Sequence, residues 1–193
     1  MKRTIITISR VYGAGGHLVG QQLAERLGIP LYDKTLIDMI AKETGLAPAF
    51  IEQAEQARTP SLLYGLYTSA SSLPVYDQID VSERKVIRDL AQKGSCIMLG
   101  RCADYLLQGD PDLTRVFIYA PLADRVKKVS AARQLDEDKA LSEITKCDKR
   151  RAAYYAYVTG QKIGNCENYD LMVNSSIGLD RALAAILACL PPA

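Results

Sequence analysis

The residues of this chain that could do chemistry are a run of glycines, several arginines and an acid at the end of a strand. Gly13-Ala14-Gly15-Gly16 follows the apolar run Ile5-Ile6-Thr7-Ile8-Ser9-Arg10-Val11-Tyr12 and precedes His17-Leu18-Val19-Gly20. Gly13, Gly15 and Gly16 carry no Cβ, so backbone N–H groups there can approach and wrap an anion. A helix beginning after the loop points its positive end at the same place. Gly100-Arg101 closes a second apolar run, Cys96-Ile97-Met98-Leu99, and an arginine just past a buried parallel strand lies on the edge where open α/β sheets bind ligands. Asp33 ends the short run Ile29-Pro30-Leu31-Tyr32, where it either caps the next helix or faces the glycine loop across the sheet. The basic run Lys146-Cys147-Asp148-Lys149-Arg150-Arg151 reads by itself as readily as a solvated helix face. Amides and cations in this number suit phosphate.

These residues need strands and helices to hold them. Thr4 to Ile8 is β-branched throughout, which suits a strand covered on both faces. The helix after the glycine loop, with Leu18, Val19, Leu23 and Leu27 on one face, ends at Gly28, a natural cap. Strand runs at 29–33, 95–99, 114–120 and 169–174 alternate with helical patterns, those at 80–93 and 136–158 being the longest. Strand alternating with helix five times predicts a three-layer αβα fold with a five-stranded, mainly parallel sheet. All 193 residues are expected in one domain, with a core over 1–43, 81–135 and 169–193. The segment 136–168 is placed as a lid. The segment 44–80 is placed outside the core, as a mobile arm or an interface element. Tyr64, Tyr67 and Tyr76 fall in that arm, with Pro60, Gly65 and Pro74, and either stack on a base or pack a homodimer contact.

Composition narrows the function. The net charge of +2 argues against a dedicated nucleic-acid binder, and 48% hydrophobic with 24% charged residues is ordinary for a soluble globule. No apolar run is long enough to span a bilayer, and no secretory leader pattern opens the chain. Cys96, Cys102, Cys147, Cys166 and Cys189 form no CxxC pair, so free thiols in a reducing cytoplasm are expected and no metal ligand set is.

The phosphate-loop motif GxxxxGK[ST] is incomplete: Arg10 stands at its first glycine and Gly16 at its lysine. Even so, ITISRVYGAGGHLVGQQLAERLGIPLYDKTLI, GSCIMLGRCADYLL, DKRRAAYYAYVTG and NYDLMVNSS together resemble the cytidylate kinase-like proteins, a branch of the P-loop nucleoside monophosphate kinases. The resemblance covers most of the chain and is weakest over 45–80. It implies the P-loop NTPase fold with a helical arm and a lid, ATP as donor, Mg²⁺ held through water, and small-molecule nucleotides as the partners. It implies that Tyr12, Gly13, Ala14, Gly15, Gly16, His17 and Leu18 hold the donor's phosphates, and that Arg101 binds the acceptor. It places Asp33 near metal and acceptor, Asp148, Arg150 and Arg151 in a lid that closes over the moving phosphoryl group, and Asp170 near the acceptor's sugar. Cytidylate kinases carry a lysine where this chain has Gly16 and a hydroxyl residue where it has Leu18; the lysine spans the β- and γ-phosphates and the hydroxyl holds Mg²⁺. His17 or Arg10 are the candidates to replace the missing charge.

Three functions compete on these terms. The first is phosphoryl transfer from ATP to CMP or dCMP. The second is a nucleotide-binding module without turnover. The third is an NAD-binding oxidoreductase, because Gly13-x-Gly15 follows a strand and Asp33 lies 18 positions after Gly15, although Leu18 stands where the third glycine of GxGxxG belongs.

Overall fold

The structure, a computed structural model, describes residues 3–57 and 73–191. Five strands, β1 (Ile5–Arg10), β2 (Leu31–Tyr32), β3 (Cys96–Leu99), β4 (Leu113–Tyr119) and β5 (Leu171–Asn174), form one sheet in the order β2-β3-β1-β4-β5. Every pairing is parallel, with Ile5 opposite both Cys96 and Leu113 and Tyr119 opposite Asn174. This order removes the dinucleotide reading. In the dinucleotide-binding fold β2 separates β3 from β1; here β3 lies directly against β1 and β2 is at the edge.

The helices are α1 (Gly16–Leu27), α2 (Thr35–Thr44), α3 (Pro48–Ala57), α4 (Leu73–Lys93), α5 (Ala103–Leu106), α6 (Leu122–Arg133), α7 (Glu137–Thr159) and α8 (Leu179–Cys189). Alternation along β1 divides the core in two. Ile6 and Ile8 face α1 and α8, packing with Val19, Leu23, Leu183 and Ile186. Ile5 faces the other side and joins Leu36, Ile40, Ile87 and Leu90 of α2 and α4. A smaller cluster of Val129, Ala140 and Ile144 seats α7 on α6.

Two expectations change. Ile51 of α3 and Ile79 of α4 are fully buried in the core beside α2, so 44–80 is not wholly peripheral; α4 also begins seven residues before Asp80. The stacking and dimer readings rest on Tyr64, Tyr67 and Tyr76; Tyr64, Tyr67 and the side chain of Tyr76 lie outside what the structure describes. Leu18 does not share the buried face of Val19 and Leu23; it is 50% exposed. The caps hold as read, with Gly28 left-handed and its N–H donating to the Ala24 carbonyl.

Candidate functional site

The glycine loop connects the central strand to α1. Gly13 and Gly15 both lie in the left-handed region, with φ of 80° and 78°, and together turn the chain out of β1 and into the helix. Tyr12 anchors this turn to the helices behind it. Its backbone N–H donates to Asp148 Oδ1 at 2.7 Å, and its carbonyl accepts from Arg125 Nη1 at 3.1 Å. Arg125 also pairs with Asp148 at 2.5 Å, and the Tyr12 hydroxyl donates to Glu143. Asp148, expected in the lid and at the substrate, braces the loop from α7 through these contacts.

On one side of the loop, at the carboxyl ends of β1, β2 and β3, is a cavity of about 330 Å³. Arg10, Lys34, Arg101, Arg150 and Arg151 line it, against the acids Asp33 and Glu52. Ile37, Leu99 and Tyr154 complete its wall. The basic run of α7 divides: Lys146 and Lys149 are exposed while Arg150 and Arg151 reach this cavity. Arg151 donates to the Arg10 carbonyl at 3.2 Å and lies 5.6 Å from the Tyr12 ring centroid, a cation–π contact that couples α7 to the loop. Burial holds its guanidinium below the usual arginine range.

Arg101 is aimed by an unusual piece of backbone. Gly100, Arg101 and Cys102 are consecutive left-handed residues with φ of 79°, 57° and 53°. Non-glycine residues rarely adopt this conformation, and where they do they cluster at functional sites. The Arg101 side chain pairs with Glu83 at 3.2 Å, and Tyr154 donates to the other Glu83 oxygen at 2.7 Å. Glu83 is 3% exposed, so α4 contributes a buried acid that positions both groups.

Asp33 does not cap α2 with its side chain. Its carbonyl accepts from the Leu36 N–H, while its carboxylate lies 2.8 Å from His17 Nδ1 and 4.0 Å from an Arg10 nitrogen. It therefore faces the loop, the second of the two sequence readings. Arg10 is pushed down to about 10, first by desolvation and then by the like charges of Arg151 and Arg101, with Asp33 opposing.

A second cavity of about 460 Å³ opens on the other side of the loop, at the ends of β4 and β5. Ala14, Gly15 and Leu18 form one wall; Lys127, Lys128, Ser175 and Ser176 face them. Ser176 donates to Asp124 at 2.7 Å. The sequence reading named Ala14, Gly15 and Leu18 but missed Lys127, Lys128, Ser175 and Ser176, along with Glu83 and Tyr154. Ser175-Ser176 could have been found by extending the sheet-edge rule to the end of β5; nothing local marks Glu83.

Asp170 is not brought to either cavity. It accepts from the Arg115 N–H at 2.8 Å and from both arms of the Arg115 side chain, pairing β5 to β4. Burial raises its pKa, and the Arg115 hydrogen bonds and charge outweigh that to hold it below the usual carboxylate value. Counted from Arg10, the hydroxyl position of GxxxxGK[ST] falls on His17, one place before Leu18, so this chain offers neither the lysine nor the hydroxyl.

A profile of the cytidylate kinase-like family matches residues 5–177. The cytidylate kinase of Methanobrevibacter smithii is 27% identical over 173 residues, which cover 89% of this chain and 88% of that protein. An uncharacterized protein from Eubacterium ventriosum superposes with a TM-score of 0.75 at 28% identity, covering 96% of this chain and 97% of that one. Shikimate kinase from Bacteroides thetaiotaomicron shares the fold at a TM-score of 0.56 and 12% identity, covering 96% and 97% of the two chains. With the match spanning nearly the whole chain, from β1 through the turn after β5, this protein belongs to the cytidylate kinase-like family.

Proposed function

We propose that the protein transfers the γ-phosphoryl group of ATP to a nucleoside monophosphate, CMP or dCMP, giving ADP and the diphosphate. One observation carries this reading: five basic side chains and two acids line a cavity at the strand ends beside the glycine loop. That excess of positive charge suits an acceptor that itself bears a phosphate, together with a donor's terminal phosphate. In-line transfer needs donor and acceptor on either side of the moving group and positive charge around it, with little covalent chemistry from the protein. The cavity lined by Ala14, Gly15 and Leu18 takes the donor nucleoside, and the arginine cavity takes the acceptor. An oxygen of the acceptor phosphate, already anionic, forms the new P–O bond as the bond to the ADP leaving group breaks. Arg101 holds the acceptor phosphate. Arg150 and Arg151 neutralise the equatorial oxygens and, from α7, keep water out. Asp33 orients the attacking group and accepts any remaining proton. Such an enzyme draws on the ATP of the cytoplasm.

Among the described residues no cluster of three potential metal ligands occurs. Mg²⁺ readily keeps several waters and binds through one or two carboxylates plus substrate phosphates, and Asp33 at the mouth of the loop fits that outer role. When bound, the ion supplies positive charge to the donor's phosphates.

The test is a coupled assay of ADP release with ATP and each of CMP, dCMP, UMP, AMP and GMP. Turnover with CMP or dCMP above the others supports the reading. Calorimetric binding of ATP and CMP with no turnover at high enzyme concentration supports a nucleotide-binding module, which the residues at the lysine and hydroxyl positions, Gly16 and His17, favour.

A further inference from the structure

Gly16 and Gly100 are far apart in the sequence, yet the same side chain lies against both of them. A Cβ built on Gly16 would lie 3.0 Å from both Cβ and Cγ of Arg10. A Cβ built on Gly100, itself left-handed, would overlap the Arg10 guanidinium at Nη1. Arg10 thus leaves the end of β1, crosses the first residue of α1 and ends against the turn that carries Arg101. Its guanidinium lines the arginine cavity, 4.0 Å from Asp33. The motif GxxxxGK[ST] has the opposite arrangement, with no side chain at the first position and a cation at the seventh, where this chain has Gly16. We infer that positions 10 and 16 have exchanged roles: Arg10 supplies the cation that bridges the donor's outer phosphates, and Gly16 and Gly100 form the track along which its side chain reaches them.

The other cations near the loop are differently placed. Arg151 donates to the Arg10 carbonyl and Arg101 pairs with Glu83, while Lys127 and Lys128 belong to the opposite cavity. An arginine also differs from the lysine in geometry: its planar fork presents paired N–H donors that match phosphate oxygens, where an ammonium acts as a point charge. Its burial among like charges fits a group whose counter-ion arrives with the ligand.

The inference rests on the phosphoryl-transfer reading, and the experiment separates the two. Binding of MgATP and of AMP is measured calorimetrically for the wild type, Arg10→Gly, Gly16→Lys and the double variant, with thermal melting as a control for folding. Arg10→Gly should weaken ATP binding by about 10- to 100-fold, the range of a lost charged hydrogen bond, and leave AMP binding nearly unchanged. Gly16→Lys alone should also weaken it, because the new side chain meets Arg10. The double variant restores the first glycine and the lysine of the motif, with His17 still at the hydroxyl position, and should recover ATP affinity to within a few-fold of wild type. Arg10→Met, which keeps the bulk of the side chain, serves if Arg10→Gly does not fold. ATP binding unchanged in Arg10→Gly or Arg10→Met, or a double variant no better than either single one, overturns the exchange and leaves the kinase reading standing. Wild-type ATP binding that follows the predicted pattern without phosphoryl transfer supports the exchange and removes the kinase reading. Absence of ATP binding by the wild type overturns both.

Discussion

Two polar regions of this molecule treat charge in opposite ways. In the arginine cavity, five basic side chains are lined up with two acids, and Arg10 and Arg151 are both held below the usual arginine range by burial. Beneath the carboxyl end of α7, each acid instead has a donor from another element. Arg115 takes Asp170 with its side chain and its backbone N–H, and Tyr155 donates to the buried Asp104 at 2.8 Å. Burial pushes Asp104 upward, towards the neutral form. Matched charge joins elements: β4 to β5, and α5 to α7. Crowded charge of one sign makes the empty protein less stable and is useful when an anion arrives. On the proposed function the first region meets the substrates and the second holds the fold together, although both contain residues that sequence reasoning placed on the substrate.

Substitutions in the two regions should separate kinetics from stability. The largest effect is expected from Arg151→Ala, which removes positive charge from the moving phosphoryl group. In the ADP-release assay it should lower kcat by about 100- to 1,000-fold, with smaller changes in either KM. Next is Tyr155→Phe in the matched region. It leaves a buried carboxyl without its donor and should cost about 1–3 kcal/mol in urea unfolding, with kcat and KM near wild type. A kinetic defect there would erase the distinction between the regions. Arg10→Met should then sharpen it from the other side. Removing a half-buried cation from among like charges should leave the stability of the ligand-free protein unchanged or raise it by about 1 kcal/mol or less, read as an equal or higher melting temperature, while ATP affinity falls. The smallest effect concerns pH. Asp170 is depressed in the folded state, so its contribution is present above the unfolded carboxylate value of about 4 and is lost as pH falls through the folded value. Asp170→Asn should remove that part of the acid sensitivity, read as a flatter melting temperature between about pH 4 and pH 2, and change nothing between pH 6 and 8.

Much of the fold was legible because its signals are local. β-branched runs, helical spacing and capping glycines such as Gly28 need only neighbouring residues. The loop, Arg101, Arg150 and Arg151 were legible for the same reason, since a strand end or a helix face places each of them. What failed depended on distant partners. Asp170 and Arg115 are 55 positions apart, and nothing near Asp170 distinguishes an acid on a sugar from an acid on an arginine. Asp148 was likewise drawn away from the cavity by Tyr12 and Arg125. Ile51 and Ile79 enter the core through packing between helices that flank a stretch with no clear period. Leu18 is one residue before Val19, about 100° round α1 from the buried stripe of Val19 and Leu23, and that turn of the helix surface lines the second cavity. The left-handed run at Gly100-Arg101-Cys102 has no sequence signature beyond its glycine.

The central claim is that one glycine loop divides a donor cavity from an acceptor cavity, and that phosphates meet across it. The most direct measurement is calorimetric binding of a bisubstrate analogue that joins adenosine and cytidine through five phosphates. The account predicts one molecule bound per chain, displaced by ATP and by CMP, with an affinity at least about 100-fold above that of either nucleotide alone. An affinity no greater than that for ATP, or displacement by only one of the two nucleotides, would contradict it.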